Sequence, residues 1–339
     1  MQVADRIIRF IAGTAALLLL LLGTQAVWVY WGSGLDSQTV FDRLESSRTV
    51  TDTHKTRDKT AVMRDTDPPV DGQPVDAAVI GRLHIPRLGL TWTPTIQEGV
   101  GTNVLKNLGA GHYPGTAMPG GVGNSAYAGH ATYTDFAQLR RVRPGDSVII
   151  ETGRAWYMYR VASTEVVYMD RTDVIQPHDT TSRDLTLTTC WPVMSPTPAT
   201  HRLIVHGTWV GWAPIGDGVP AELAATHETT VDRTVRTVRN VSRTVRMPVS
   251  QTLAACTALV WAALDGLAWL VWHKRMRAVW HRPAADPMTC LFRLQAGPGP
   301  VRVILFALMW TAVMFACFRW ACPALADWLP MFADPHPTL

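Results

Sequence analysis

The sequence predicts an all-β fold, a small barrel or sandwich of about eight strands with short helices, joined to three predicted transmembrane helices. Short strand-like runs fill residues 79–212: AVIGRLHIP, TWTPTIQ, VLKNLGAGHY, SAYAGH, DSVIIET, AWYMYRVASTEVVY, LTLTTC and RLIVHGTWVGW. Gly and Pro clusters such as PGTAMPGGVGN and RPGD divide them, which is the punctuation of tight turns. Residues 10–35 contain no charged side chain, and two further apolar stretches cover 247–272 and 303–322.

In chain order, Asp5, Arg6 and Arg9 precede the first span, and the apolar run ends in Val27, Trp28, Val29, Tyr30 and Trp31. A cleaved signal peptide is the rival, but its cleavage site needs small residues, so residues 1–35 are assigned a cytoplasmic start and an uncleaved anchor. Residues 36–76 are polar and too poor in apolar side chains to bury a core, and are expected to form an extracellular linker. The all-β domain follows over 77–215, with TDFAQLRRV supplying one or two helical turns.

Over 216–246 the arginines Arg233, Arg236, Arg239, Arg243 and Arg246 recur at helical spacing beside Val231, Val235, Val238 and Val245. This is a basic amphipathic helix, either lying on anionic lipid headgroups or wall polymer, or forming a solvated stalk. The second span, 247–272, is interrupted by Asp265, and the third, 303–322, carries Arg319 near its end. Between them, 273–302 holds Lys274, Arg275, Arg277, Arg282, Arg293 and Arg302, which marks a cytoplasmic loop. Residues 32–246 and the tail 323–339 are then extracellular.

A net charge of +4, with no basic stripe interleaved with aromatics, gives no support to nucleic-acid binding. Of the five cysteines, Cys256, Cys290, Cys317 and Cys322 fall in or beside the C-terminal spans. Cys190 alone lies in the predicted outward domain, so it has no partner there for an internal disulfide.

Residues 185–189 form a strand-like run that ends on Cys190; a Pro, Ser and Thr loop follows, and a second strand begins near Arg202. Taken alone, such a cysteine is a small buried hydrophobe. His130, also at a strand end, changes the balance: thiol, imidazole and guanidinium would supply a nucleophile, a proton carrier and a fixed cation. His201 and His206 lie nearby, but without CxxC or HxxxH spacing no metal site is expected, and no cofactor is required. His206 is assigned to a strand, His112 and His178 to loops.

TLTTC followed by HRLIV, with AGH and GHYPGTAMPGG upstream, resembles the sortases, membrane-anchored cysteine transpeptidases of Gram-positive bacteria. The resemblance implies an eight-stranded barrel with Cys190, His130 and Arg202 as catalytic residues. Tyr113 resembles a tyrosine of the actinobacterial class E group, and Thr189 and Tyr113 are the candidate substrate-binding residues. A class E enzyme would cut an LAxTG or LPxTG-like sorting signal of a secreted protein between Thr and Gly, then pass it to an amine of a peptidoglycan precursor. Alternatives are a class C pilin polymerase using a pilin lysine, an inactive binding module on the same scaffold, and a papain-like protease. A pilus-type lid would place an aromatic after Asp67 and Pro68, where this sequence has Pro69.

Overall fold

The computed structural model describes residues 2–35, 59–105, 109–132, 135–193, 199–280 and 286–328. They divide into a β unit spanning residues 33–237 and a helical unit formed by residues 1–32 and 238–333.

The β unit is a closed eight-stranded barrel. Its strands are β1 (Val79–His84), β2 (Thr95–Glu98), β3 (Ala110–His112), β4 (Gly123–Ala128), β5 (Ser147–Thr152), β6 (Ala155–Tyr168), β7 (Arg183–Trp191) and β8 (His201–Pro214). Around the barrel they run β1-β2-β3-β4-β7-β8-β6-β5. Closure leaves no unpaired sheet edge. Alternation along each strand fills the inside with Leu83, Ile96, Tyr127, Ile150, Leu185, Leu187 and Val205, all fully buried. TDFAQLRRV forms the predicted short helix, a 3-10 segment over Phe136–Arg141.

Two sequence expectations change. His112 is not in a loop: it is the last residue of β3, fully buried, because its ring finds polar partners inside the barrel. The second change concerns 59–76, assigned to the linker. Thr60–Ala61 pairs in parallel with Val219–Pro220, and Arg64 exchanges backbone hydrogen bonds with Trp212 at 2.7 and 3.0 Å. Further along, Arg183 reaches Asp67 and Arg154 reaches Asp71, both at 2.7 Å, and the Tyr157 hydroxyl donates to Pro69 O. A polar segment cannot build a core of its own, but this one follows the barrel wall and uses the barrel's donors and acceptors. Asp67 sits beside the first residue of β7, roughly 23 Å along the strand from Cys190 at about 3.3 Å per residue. Asp67 and Pro68 therefore form no lid over the cysteine. The remainder of the predicted linker, 36–58, lies outside the described residues.

The basic segment is a helix, α2 (Thr230–Val245), numbered after the N-terminal α1 (Gln2–Tyr30). Thr229 and Asp232 cap its start reciprocally: the Thr229 hydroxyl donates to the carboxylate at 2.6 Å and accepts Asp232 N–H at 3.1 Å. Asp232 also accepts from the backbone and hydroxyl of Thr91, at 3.1 and 2.7 Å, which ties the helix start to the barrel.

In the helical unit, α1, α3 (Val249–Trp280) and α5 (Gly299–Arg319) are long and apolar enough to cross a membrane. Helix α3 continues past 272 into the basic segment, and α4 (Pro287–Arg293) occupies part of the predicted loop, capped by Asp286 through Thr289 N–H. Asp265, which interrupts the second apolar stretch, accepts Ala296 N–H at 2.7 Å, and the Trp261 indole donates to Gln295 at 2.7 Å. Both contacts satisfy polar groups where the chain turns into α5, which is what an apolar surrounding demands. A last helix, α6, spans Ala321–Trp328; the end of the predicted tail lies outside the described residues.

Candidate active site

Cys190 is the penultimate residue of β7, and its direct partner across the antiparallel ladder is Arg202, the second residue of β8. Side chains directly opposite on an antiparallel pair share a face and stand about 5 Å apart at Cβ. That face is the outer one. Leu185, Leu187, Leu203 and Val205 belong to the barrel core, so the alternating positions Thr186, Thr188, Cys190, Arg202 and Ile204 point away from it. Ile204 accordingly packs in a separate cluster with Val167 and Val174.

His130 arrives on the other side of β7. Strands β4 and β7 run parallel, pairing Ala128 with Thr188, and Gly129 N–H still donates to Thr188 O at 3.1 Å. His130 and Cys190 each lie two residues beyond that pair, Cys190 still on β7 and His130 in the turn into which β4 leads. His130, Cys190 and Arg202 thus fall at or just past the ends of three adjacent strands, at one rim of the barrel.

The described residues on either side of 133–134, after β4, are held by hydrogen bonds. Asp135 is buried, and its carboxylate accepts His130 N–H at 2.9 Å while Phe136 N–H donates to His130 O at 2.9 Å. The Trp92 indole fixes Asp135 from below through its carbonyl at 2.9 Å. Gly129 is required here, since a Cβ would meet the Phe136 ring at 2.5 Å. Sequence reasoning missed Asp135; its signal is a carboxylate five residues after the histidine, in range to close the turn.

Arg202 is 6% exposed, and its Nε donates to Met169 O, just past the end of β6, at 3.4 Å. Cys190 is half-buried. Tyr113 follows β3 and reaches the same face, where its hydroxyl lies 3.2 Å from Thr188 Oγ1. Burial raises the Tyr113 phenol above its ordinary value; the Thr188 hydrogen bond and the Arg202 charge pull it down, and charge at Cys190 pushes it up. The phenol therefore feels both the cysteine and the arginine.

Thr189 is placed differently from the sequence expectation. Its position alternates with Cys190 and shares the inward side with Leu185 and Leu187; it is 1% exposed and its hydroxyl has no hydrogen-bond partner among the described residues. The hydroxyl on the cysteine's face belongs to Thr188. His206 lies on β8, 3.0 Å from Glu165, and among the described residues no group of His, Cys, Asp and Glu is arranged to hold a metal.

The sequence model of the Sortase domain family matches residues 83–210, covering six barrel strands in full, parts of β1 and β8, and all of Tyr113, His130, Cys190 and Arg202. Residues 83–210 form a sortase domain. The sortase domain is 32% identical over 158 residues to Sortase SrtE1 of Streptomyces coelicolor, an alignment covering 42% of this chain and 44% of that protein. The chain thus spans less than half the length of that curated relative. Among solved structures it is similar to sortase E from Streptomyces avermitilis (36% identity, 44% of this chain, 99% of that one, TM-score 0.40). It is also similar to the SrtA sortase from Actinomyces oris (34% identity, 48% of this chain, 96% of that one, TM-score 0.45). Sortase-family relatives are cysteine transpeptidases.

Proposed function

We propose that the protein is a membrane-anchored sortase of the class E type that joins secreted proteins to the cell wall. The observation that carries this is the direct cross-strand pairing of Cys190 with Arg202 on the barrel's outer face, beside Tyr113 and next to the strand that leads into His130.

In the first step the Cys190 thiolate attacks the carbonyl carbon of the threonine in an LAxTG or LPxTG-like sorting signal. Arg202 stabilises the negative charge that develops on the carbonyl oxygen. The C–N bond to glycine breaks, the glycine amine leaves with a proton from His130, and the threonine remains on sulfur as a thioester. In the second step an acceptor amine attacks the thioester, its proton passes to His130, and the thiolate is released as the new amide forms. Tyr113 and Thr188 line the groove beside the scissile bond, and Asp135 keeps His130 at its station.

The acceptor amine belongs to a peptidoglycan precursor. The sequence likeness to Sortase SrtE1 supports this over a pilin lysine. The chain is multi-pass, with the barrel outside: three apolar helices, a basic start and the basic segment around α4 support that topology.

The test mixes the detergent-solubilised full chain with LAxTG and LPxTG peptides, with and without an amine acceptor, alongside Cys190→Ala. Amine-dependent product formation abolished by the substitution supports the enzyme. Peptide binding without turnover in either protein would falsify it in favour of a binding module, and turnover surviving Cys190→Ala would assign the chemistry elsewhere.

A further inference from the structure

Inside the barrel, below the groove, lies a polar pair that the proposed chemistry does not use. His112 and Glu98 are 0% and 4% exposed, and His112 Nδ1 is 2.8 Å from Glu98 Oε2. The other ring nitrogen, Nε2, is 3.0 Å from Ala117 O and 3.1 Å from Thr116 Oγ1. These partners place one hydrogen of the ring. A carbonyl oxygen only accepts, so Nε2 carries a hydrogen. The Thr116 hydroxyl has one proton, which it donates to Tyr113 O at 2.7 Å, so toward Nε2 it accepts. Both contacts require the same Nε2–H, and Glu98 on the opposite nitrogen selects the ring orientation that presents it.

The bonds converge on one turn. Thr116 N–H also donates to Tyr113 O at 3.1 Å, Ala117 N–H donates to Asn124 O at 2.9 Å, and Tyr113 N–H donates to Ala126 O at 3.0 Å. Gln73, from the segment that follows the barrel wall, closes the outside by donating to Thr116 O at 3.1 Å. From inside the barrel the imidazole holds residues 113–117 at Thr116 and Ala117, beside these backbone bonds, and the side chain this turn carries to the outer face is Tyr113.

We propose, on the assignment of Tyr113 to the substrate groove, that His112 is a positioning residue for that tyrosine. The imidazole, oriented by Glu98, holds the 113–117 turn so that the phenol stands at a fixed distance from Cys190 and Arg202. His112 touches no substrate; it acts through Thr116 and Tyr113 on how the sorting signal seats. A loosened turn weakens peptide binding and leaves the thiol, imidazole and guanidinium in place, so the signature is a change in KM with little change in kcat.

The experiment is steady-state transpeptidation by the full chain in detergent, with KM for the sorting-signal peptide and kcat determined separately. His112→Phe keeps the ring volume and removes both nitrogens. Thr116→Val removes the hydroxyl from a half-buried turn without entering the core, and so decides the matter if His112→Phe fails to fold. Each is expected to raise KM about tenfold with kcat changed less than about twofold, the pattern of lost uniform binding. Glu98→Ala is expected to behave likewise and Glu98→Gln to restore KM, since the amide N–H donates to Nδ1 and keeps Nε2–H. In a Tyr113→Ala background Thr116→Val should have no further effect on KM, whereas a merely structural contribution would add to it. Unchanged KM in Thr116→Val, additivity with Tyr113→Ala, or a Glu98→Gln defect as large as that of Glu98→Ala overturns the proposal. Cys190→Ala run in parallel separates the cases: loss of turnover there with unchanged KM in Thr116→Val rejects the positioning role alone.

Discussion

Cys190 and Arg202 face each other directly across the β7–β8 ladder, one residue inside the point where each strand meets its loop. Their separation is set by strand spacing, not by loop conformation, which is how a site holds a cation at a constant distance from a reacting sulfur. Four outcomes follow from this arrangement and from the packing that supports it.

Arg202→Ala is expected to lower kcat by about 10²- to 10³-fold with little change in KM, because charge on the carbonyl oxygen develops only after attack. Arg202→Lys should recover little of this, since a buried planar donor anchored on Met169 O is not replaced by a point charge. Peptide cleavage kinetics at saturating substrate measure both.

The His130 turn depends on Asp135 and on the missing Cβ of Gly129. Asp135→Ala should reduce kcat/KM by about 10- to 100-fold through misplacement of the imidazole, while Asp135→Asn, which still offers an acceptor oxygen to His130 N–H, should retain most of it. Gly129→Ala should cost about 1 to 3 kcal/mol of stability as the methyl meets the Phe136 ring, read from denaturant midpoints, with Phe136→Leu in the same chain recovering part of the loss.

Alkaline unfolding should be dominated by three buried phenols. Burial, reinforced by the Asp71 charge, pushes Tyr157 up to about 12, and burial likewise raises Tyr127 and Tyr159. A raised value means the folded barrel keeps protons that the unfolded chain releases near pH 10, so this stability is complete below about pH 10 and is lost as pH climbs through the folded values. Urea midpoints between pH 8 and 11, followed by tryptophan fluorescence, should fall, and fall less steeply in Tyr157→Phe.

Asp232 gives the opposite limb. Burial works against its charge, but hydrogen bonds from Thr229 and Thr91 outweigh it and hold the carboxyl below the ordinary range. Its contribution is present above about pH 4 and is lost as pH falls through the lowered folded value. Asp232→Asn should cost about 1 kcal/mol at neutral pH, as for other lost helix caps, and flatten the acid side of the stability profile.

How much of this was legible in the sequence depends on how local the cause is. The strand runs and their turn residues foretold the eight strands and the order of histidine, cysteine and arginine, because period and punctuation are local. The apolar helices were legible for the same reason. Thr188 and Thr189 could not be told apart, since facing is decided by register with β8 and not by residue type. His112 looked like a loop residue because only the folded barrel brings Glu98 to its other nitrogen. Residues 59–76 looked unstructured because their partners Arg154, Arg183 and Trp212 lie 83 or more residues downstream.

Strands β4 and β7 run in the same direction, so the histidine and the cysteine leave the sheet at one end of the barrel. The chain that joins Trp191 to His201 can therefore change length or composition without shifting a single pair in the ladder beneath, whereas the chain after His130 is bound to it through Asp135 and Phe136. Selectivity for a different sorting signal can be gained there by insertion or replacement, while the reacting groups keep their mutual geometry.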